Sequence, residues 1–257
     1  MSKIKKTIVL NKKEGETPLE ALNTFRLKNR EYENVPMTYA GRLDPLASGL
    51  LLILTGKEVK KKEKYLTLSK EYEFEILFGF QTDTYDILGK VIKKLRNDFV
   101  LKKDDLRERI ENGIQYFIGE YNQKYPKYSS KTVKGVPLFV YARSGKEVDI
   151  PSKKVLIKQI EFKSIKKISK KVLISNIEKR IKKVKGDFRQ KEILAVWKRV
   201  LRNNKQKAFY VAKLRINASG GTYVRVIANE LGEKIGIPLI AFSIKRTRIG
   251  KWCKIEK

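Results

Sequence analysis

Apolar positions along the chain recur in two periods that lay out its elements. Residues 6–10 read as a first strand, followed by a turn through 11–15. Thr17, with Pro18 behind it and Glu20 three positions on, is a helix N-terminus signature, and Leu19, Leu22 and Phe25 then give one apolar face. Residues 35–49, rich in Pro, Gly and Ser, read as a loop. The unbroken apolar run 49–55 predicts a central strand covered on both faces. A charged surface helix is expected over 57–65. In 70–80 the alternation of Tyr72, Phe74, Ile76 and Phe78 with polar neighbours predicts another strand. A polar loop, 81–89, then leads to a short strand at Val91 and Ile92.

Asp104 or Asp105 is expected to cap a helix carrying Leu106, Ile110, Ile114 and Phe117. Residues 125–130 read as loop or edge strand, and Pro137 as the opening of a short helix to Arg143. Strands are expected at 155–162 and 208–216, with an αα-hairpin between them. Its first helix holds Ile174, Ile177, Ile181 and Val184. The second begins at Asp187 and holds Ile193, Leu194, Trp197, Val200 and Leu201, with Gly186 between the two. A helix over 222–234 and a strand over 237–249 complete the chain. Strands and helices mix without strict alternation, which predicts an α+β fold with a mixed, mainly antiparallel sheet and flanking helices.

Composition narrows the chemistry. The 257 residues include no histidine and one cysteine, Cys253. That excludes Ser-His-Asp and Cys-His catalysis, histidine-based zinc sites, disulfides and Cys-x-x-Cys redox pairs. Catalysis would fall to carboxylates, tyrosines, Lys/Arg or backbone groups. The longest apolar run, 50–54, is too short to span a bilayer, and residues 1–13 do not resemble a secretory signal, so a cytoplasmic location and no membrane partner are expected.

The formal charge of +31 favours a polyanionic partner, nucleic acid first. It is unevenly placed. Residues 151–215 carry 22 basic and 4 acidic side chains, more than half of the excess in a quarter of the chain. A local electrostatic footprint explains that concentration better than a general lysine bias does.

The densest signal is the string from Tyr39 to Leu52, Tyr-Ala-Gly-Arg-Leu-Asp-Pro-Leu-Ala-Ser-Gly-Leu-Leu-Leu. One acid, Asp44, stands among small turn-forming residues and is followed at once by the buried strand. A lone Asp before Pro is commonly no more than a turn former, but this string is longer than a turn requires. It closely resembles the catalytic loop of the TruB-type tRNA pseudouridine-55 synthases. Further blocks are similar in the same order: Leu10-Asn11-Lys12 with Gly15; Lys70 and Tyr72 followed by Thr82-Asp83-Thr84, Asp86 and Gly89; Pro126, Tyr128 and Ser129 with Gly135, Pro137, Leu138, Ala142, Arg143 and Gly145; and Gly221-Thr222-Tyr223-Val224-Arg225.

The resemblance implies a cofactor-free isomerisation of a uridine in RNA, most directly in the tRNA T-arm, in which the N-glycosidic bond breaks, the base turns over and its C5 joins the ribose. It assigns the essential carboxylate to Asp44, which attacks the sugar or deprotonates it while the base leaves as an anion. It assigns Tyr72 to stacking on the extruded base and Arg225 to pairing with Asp44. Lys12, Asp83 and Arg143 are expected as supports or RNA contacts.

Two departures stand out. Tyr39 replaces the family's loop histidine, and a tyrosine can still stack on bases. Arg42 stands where the family has Thr or Ala, and the string also resembles the ribosomal RNA pseudouridine synthases, so another RNA is an alternative substrate. A non-catalytic RNA-binding or RNA-folding protein on the same scaffold is a second alternative, against which the joint presence of Asp44, Tyr72 and Arg225 argues. Residues 1–257 are expected to form a single catalytic domain, active as a monomer, with no DNA partner and no metal. With eight residues after Ile249, the small C-terminal RNA-binding PUA domain of many members is expected to be absent. In its place the basic hairpin, residues 164–207, is extra relative to the family core and is expected to contact RNA phosphates.

Overall fold

The computed structural model describes residues 4–96, 98–99 and 101–253. The strands are β1 (Thr7–Lys12), β2 (Met37–Tyr39), β3 (Ala47–Thr55), β4 (Lys70–Phe78), β5 (Phe80–Thr82), β6 (Val91–Lys94), β7 (Gly119–Lys124), β8 (Thr132–Val133), β9 (Val136–Pro137), β10 (Ser152–Ser169), β11 (Ala208–Ala218) and β12 (Leu239–Ile249). The helices are α1 (Pro18–Lys28), α2 (Lys62–Leu66), α3 (Lys103–Gln115), α4 (Leu138–Ser144), α5 (Lys170–Lys183), α6 (Gln190–Arg202) and α7 (Val224–Ile235). Eight strands form one sheet in the order β1-β3-β12-β4-β11-β10-β7, with β2 paired to β3. Every pairing in it is antiparallel except β3 with β12. The α+β fold with a mainly antiparallel sheet is as expected.

Strand alternation divides the core. On one face Phe74, Ile76, Leu214 and Ile216 pack against Ile110 and Ile114 of α3 and Ile227 and Leu231 of α7. On the other, Leu77, Phe209, Val211, Ile240 and Phe242 pack against Leu173, Ile177 and Ile181 of α5 and Ile193, Trp197 and Leu201 of α6. The hairpin is therefore a structural layer of the sheet. Its Trp197 indole donates to the carbonyls of Ile87 and Gly89, both at 3.2 Å. No described helix is long and apolar enough to cross a membrane.

Several local expectations change. Thr17 caps α1 in a full capping box, but Ala21 and Leu22 form the buried face while Leu19 is exposed. Asp104 and Asp105 lie inside the first turn of α3, where carboxylates favour the helix dipole, and Lys102 holds the cap position. The charged helix is a 3-10 turn, Gly56–Lys61, running into the short α2. β7, whose only buried residue is Gln123, carries no apolar alternation to betray it. β10 runs on to Ser169, so residues 164–169, counted with the hairpin above, are strand paired with β11. The second hairpin helix starts at Gln190 instead of Asp187, because residues 186–189 form an irregular turn.

Candidate active site

The loop between β2 and β3 carries Asp44 to the mouth of a cleft of about 930 Å³, at the upper end of the range typical of ligand sites. Its backbone is fixed from behind by two buried cations. Arg246, on β12, donates Nε to the Leu50 carbonyl at 2.7 Å and its two Nη groups to the Arg42 and Gly41 carbonyls at 3.3 Å. Lys12, at the end of β1, donates Nζ to the carbonyls of Glu16 (2.6 Å), Lys13 (3.0 Å) and Pro45 (3.3 Å). Burial pushes the Lys12 ammonium down to about 8, against the opposing pull of Glu16 and Asp44. Gly49 explains how β12 comes close enough for this: its φ is +103°, and a Cβ there would lie 2.2 Å from the Arg246 carbonyl oxygen.

Arg225, in the first turn of α7, is buried and meets three segments at once. Nε donates to Asp44 Oδ2 at 2.8 Å and Nη2 lies 3.4 Å from Oδ1. Nη1 donates to the Thr84 carbonyl and Nη2 to the Tyr128 carbonyl, each at 2.9 Å. The guanidinium fork suits such fixed, planar recognition. Asp44 keeps a third of its side chain exposed toward the cleft, against 4% for Arg225. The carboxylate is thus oriented from one side and open on the other.

Near this pair Asp86, which also lines the cleft, accepts from Thr84 Oγ1 at 2.7 Å and from the Leu88 amide at 2.9 Å. Burial, reinforced by the nearby Asp44 charge and opposed by Arg225, pushes its carboxyl up to about 6. Gly89 closes this loop, since a Cβ there would lie 2.2 Å from Thr84 Oγ1. Tyr72, buried on β4, lines the same cleft. So do Tyr39 and Arg42. Tyr39 sits beneath the Lys62 ammonium, 5.7 Å from its ring centroid, while Arg42 is exposed.

The other predicted residues are placed differently. Lys12 is fully buried, its ammonium is engaged by backbone carbonyls, and it is not part of the cleft lining; of the two roles expected of it, its contacts are those of a support for the loop. Asp83 is turned to Arg189 of the hairpin at 2.7 Å. Arg143 lines the cleft but is paired with Asp187 at 3.2 Å. Among the described residues no three His, Cys, Asp or Glu side chains gather as metal ligands would.

Residues 29–186 match the family described as TruB family pseudouridylate synthase (N terminal domain). The chain belongs to this family. By membership it is a pseudouridine synthase, an isomerase of uridine in RNA. TruB relatives bearing the name tRNA pseudouridine synthase B include those of Borrelia garinii subsp. bavariensis, 27% identical over 95% of this chain and 69% of the relative, and Lactobacillus acidophilus, 31% identical over 93% and 66%. That of Aquifex aeolicus is 28% identical over 94% and 67%. The fold is shared, at 16% identity, with a chain in a structure of an H/ACA RNP bound to a substrate RNA containing 2'-deoxyuridine, with a TM-score of 0.52 over 95% of this chain and 47% of that one. A chain of a Cbf5-Nop10-Gar1 complex is similar at 0.54, over 96% and 50%. This TruB chain spans about half the length of those structures and about two thirds of the relatives.

Three cleft features escaped the sequence reading. Arg246 sits in a strand pattern with no motif around it. Lys70, noted only as a neighbour of Tyr72, donates Nζ to the carbonyls of Leu66 (2.7 Å) and Leu68 (2.6 Å) and is pushed down to about 8 by burial. Asp187, Phe188 and Arg189 of the hairpin turn also line the cleft, a closeness that a separation of more than 140 residues from Asp44 conceals.

Proposed function

We propose that this chain is a tRNA pseudouridine-55 synthase, isomerising a uridine of the T-arm loop that is flipped from its stack into the cleft. The observation that supports this most is the Asp44–Arg225 pair, oriented on one face and open on the other, in a cleft that also holds Tyr72. The reaction balances within the substrate. The N1–C1′ bond breaks and the C5–C1′ bond forms; C5 gives up its proton and N1 acquires one, with no net transfer of electrons. Asp44 attacks the ribose or takes a proton from it, and Arg225 holds the carboxylate aimed. Tyr72 offers its ring to the base. Tyr39, at the rim, takes the stacking position of the family histidine.

The same reading treats residues 1–257 as one catalytic domain whose hairpin contributes phosphate contacts. Exposed Lys171, Lys179, Lys182, Lys191, Arg199 and Arg202 on its two helices supply the charge. The deciding assay is tritium release from C5-labelled uridine in a T-arm transcript, with Asp44→Asn as control. The expected result is release by the wild type at the T-arm uridine, reduced at least about a thousandfold in the variant. No release at micromolar enzyme would overturn the functional reading; release unaffected by the substitution would overturn the assignment of Asp44.

A further inference from the structure

The turn between the hairpin helices is built more firmly than a connector needs to be. Gln190 Oε1 accepts from the Phe188 amide at 2.9 Å, and its Nε2 donates to the Gly186 and Val184 carbonyls at 2.7 and 3.0 Å. Asp187 Oδ1 accepts from the Arg189 amide at 3.1 Å, and Arg189 adopts a left-handed conformation with φ +61°. A non-glycine residue is held there only where its surroundings over-determine it. Arg189 shows those surroundings: it pairs with Asp83 at 2.7 Å, and its guanidinium lies over the Tyr128 ring, 4.2 Å from the centroid. On the other side of the turn Asp187 pairs with Arg143.

Phe188 lies between these two anchors. It is half-buried, packs against the hydrophobic cluster that the hairpin helices share with the sheet, and lines the cleft. The anchors are polar groups engaged with each other, whereas the ring offers an apolar face to whatever enters. Extruding a uridine breaks the stacks on both sides of it, and an aromatic ring at the rim can replace one of them. We propose that Phe188 is a substrate-positioning residue, a stacking platform for an RNA base flanking the target uridine, carried into the cleft by the hairpin turn. This rests on the reading that the cleft takes a uridine in RNA. It gives the hairpin a second task beside phosphate contact: Asp187 and Arg189 anchor the turn that presents the ring to the cleft Asp44 also lines.

The test uses Phe188→Leu, which keeps apolar volume against the hairpin core and removes the ring, and Phe188→Trp, which restores one. In the Asp44→Asn background, where turnover is suppressed, the affinity for a T-arm stem-loop should fall about five- to a hundredfold with Leu and return to within about threefold with Trp. With Asp44 present, Leu should raise KM by a similar factor and leave the single-turnover rate at saturating RNA within about threefold. A 2-aminopurine placed beside the target should lose its protein-induced quenching with Leu and regain it with Trp. Unchanged affinity, KM and quenching in Phe188→Leu, with an active wild type, would overturn the proposal alone. An inactive wild type would instead overturn the functional reading, while the affinity and quenching measurements still judge Phe188.

Discussion

Two loops meet in the cleft, and they are held in opposite ways. The Asp44 loop takes its order from outside itself. Arg246 and Lys12 grip its carbonyls from β12 and β1, and Arg225 grips its carboxylate from α7. The 186–189 turn takes much of its order from within, through Gln190 and Asp187, and its outward contacts are charge pairs at the cleft wall. A side chain that is fixed relative to several distant groups draws its supports from distant elements, as Asp44 does. A contact surface must only be stiff and correctly placed, and local bonds can achieve that.

The largest expected effect tests whether the hairpin is a layer or an attachment. Trp197→Ala empties a fully buried site and removes two hydrogen bonds to the Ile87 and Gly89 carbonyls. Chemical denaturation should show a loss of about 3–5 kcal/mol, with a much smaller change in turnover per folded molecule than at Arg225. Stability within about 1 kcal/mol of wild type would make the hairpin an attachment. Arg225→Met should lower tritium release at least about a hundredfold and cost about 3 kcal/mol, since Asp44 remains partly solvated but two carbonyls lose their donor. Arg225→Lys should fail to restore the rate, because one ammonium cannot match the fork.

A smaller effect is set by pH. The folded-state carboxyl of Asp86, at about 6, lies above its ordinary 3.8, so the folded chain holds that proton the more tightly. The resulting stabilisation is complete below about pH 4 and is lost as the pH rises through about 6, an amount of about 3 kcal/mol at most. Asp86→Asn keeps an acceptor for Thr84 and Leu88 and does not titrate. Melting curves of the variant minus wild type should therefore move in the variant's favour between pH 4 and 7; a flat difference would show that Asp86 is not buried as a charge. The smallest effects belong to the hairpin surface. Each of Lys171, Lys179 and Lys182 changed to Glu should make the slope of log K against log salt shallower by about one at most, leaving saturated turnover nearly unchanged.

The fold was legible where periodicity and local chemistry agreed. The Thr17 capping box, the run into β3 and the alternation in β4 each specify one local structure, and the structure has them. β7 was not legible because its outward residues are polar and its one buried side chain is Gln123. At the site, Asp44 and Arg225 belong to motif strings and were named as a pair, and they are hydrogen-bonded. For Lys12 the motif left two roles open, support or RNA contact, and only the carbonyls around its ammonium show it supporting the loop. Arg246 and Phe188 left no signal, since one depends on a strand pairing and the other on how a hairpin docks. Tertiary contacts of that kind are absent from local pattern.

The pairing of β3 with β12 has a consequence in time as well as in space. Gly41 and Arg42, near the start of the chain, are held by Arg246, more than 200 residues later. Closing so long a loop is slow relative to local structure. A ribosome releasing this chain N-terminus first exposes the Asp44 loop after Lys12 but long before Arg225 and Arg246, which complete its support. The full set of contacts that holds this loop therefore arrives only with β12, and a nascent chain that ends before it carries the Asp44 string without the geometry that fixes it.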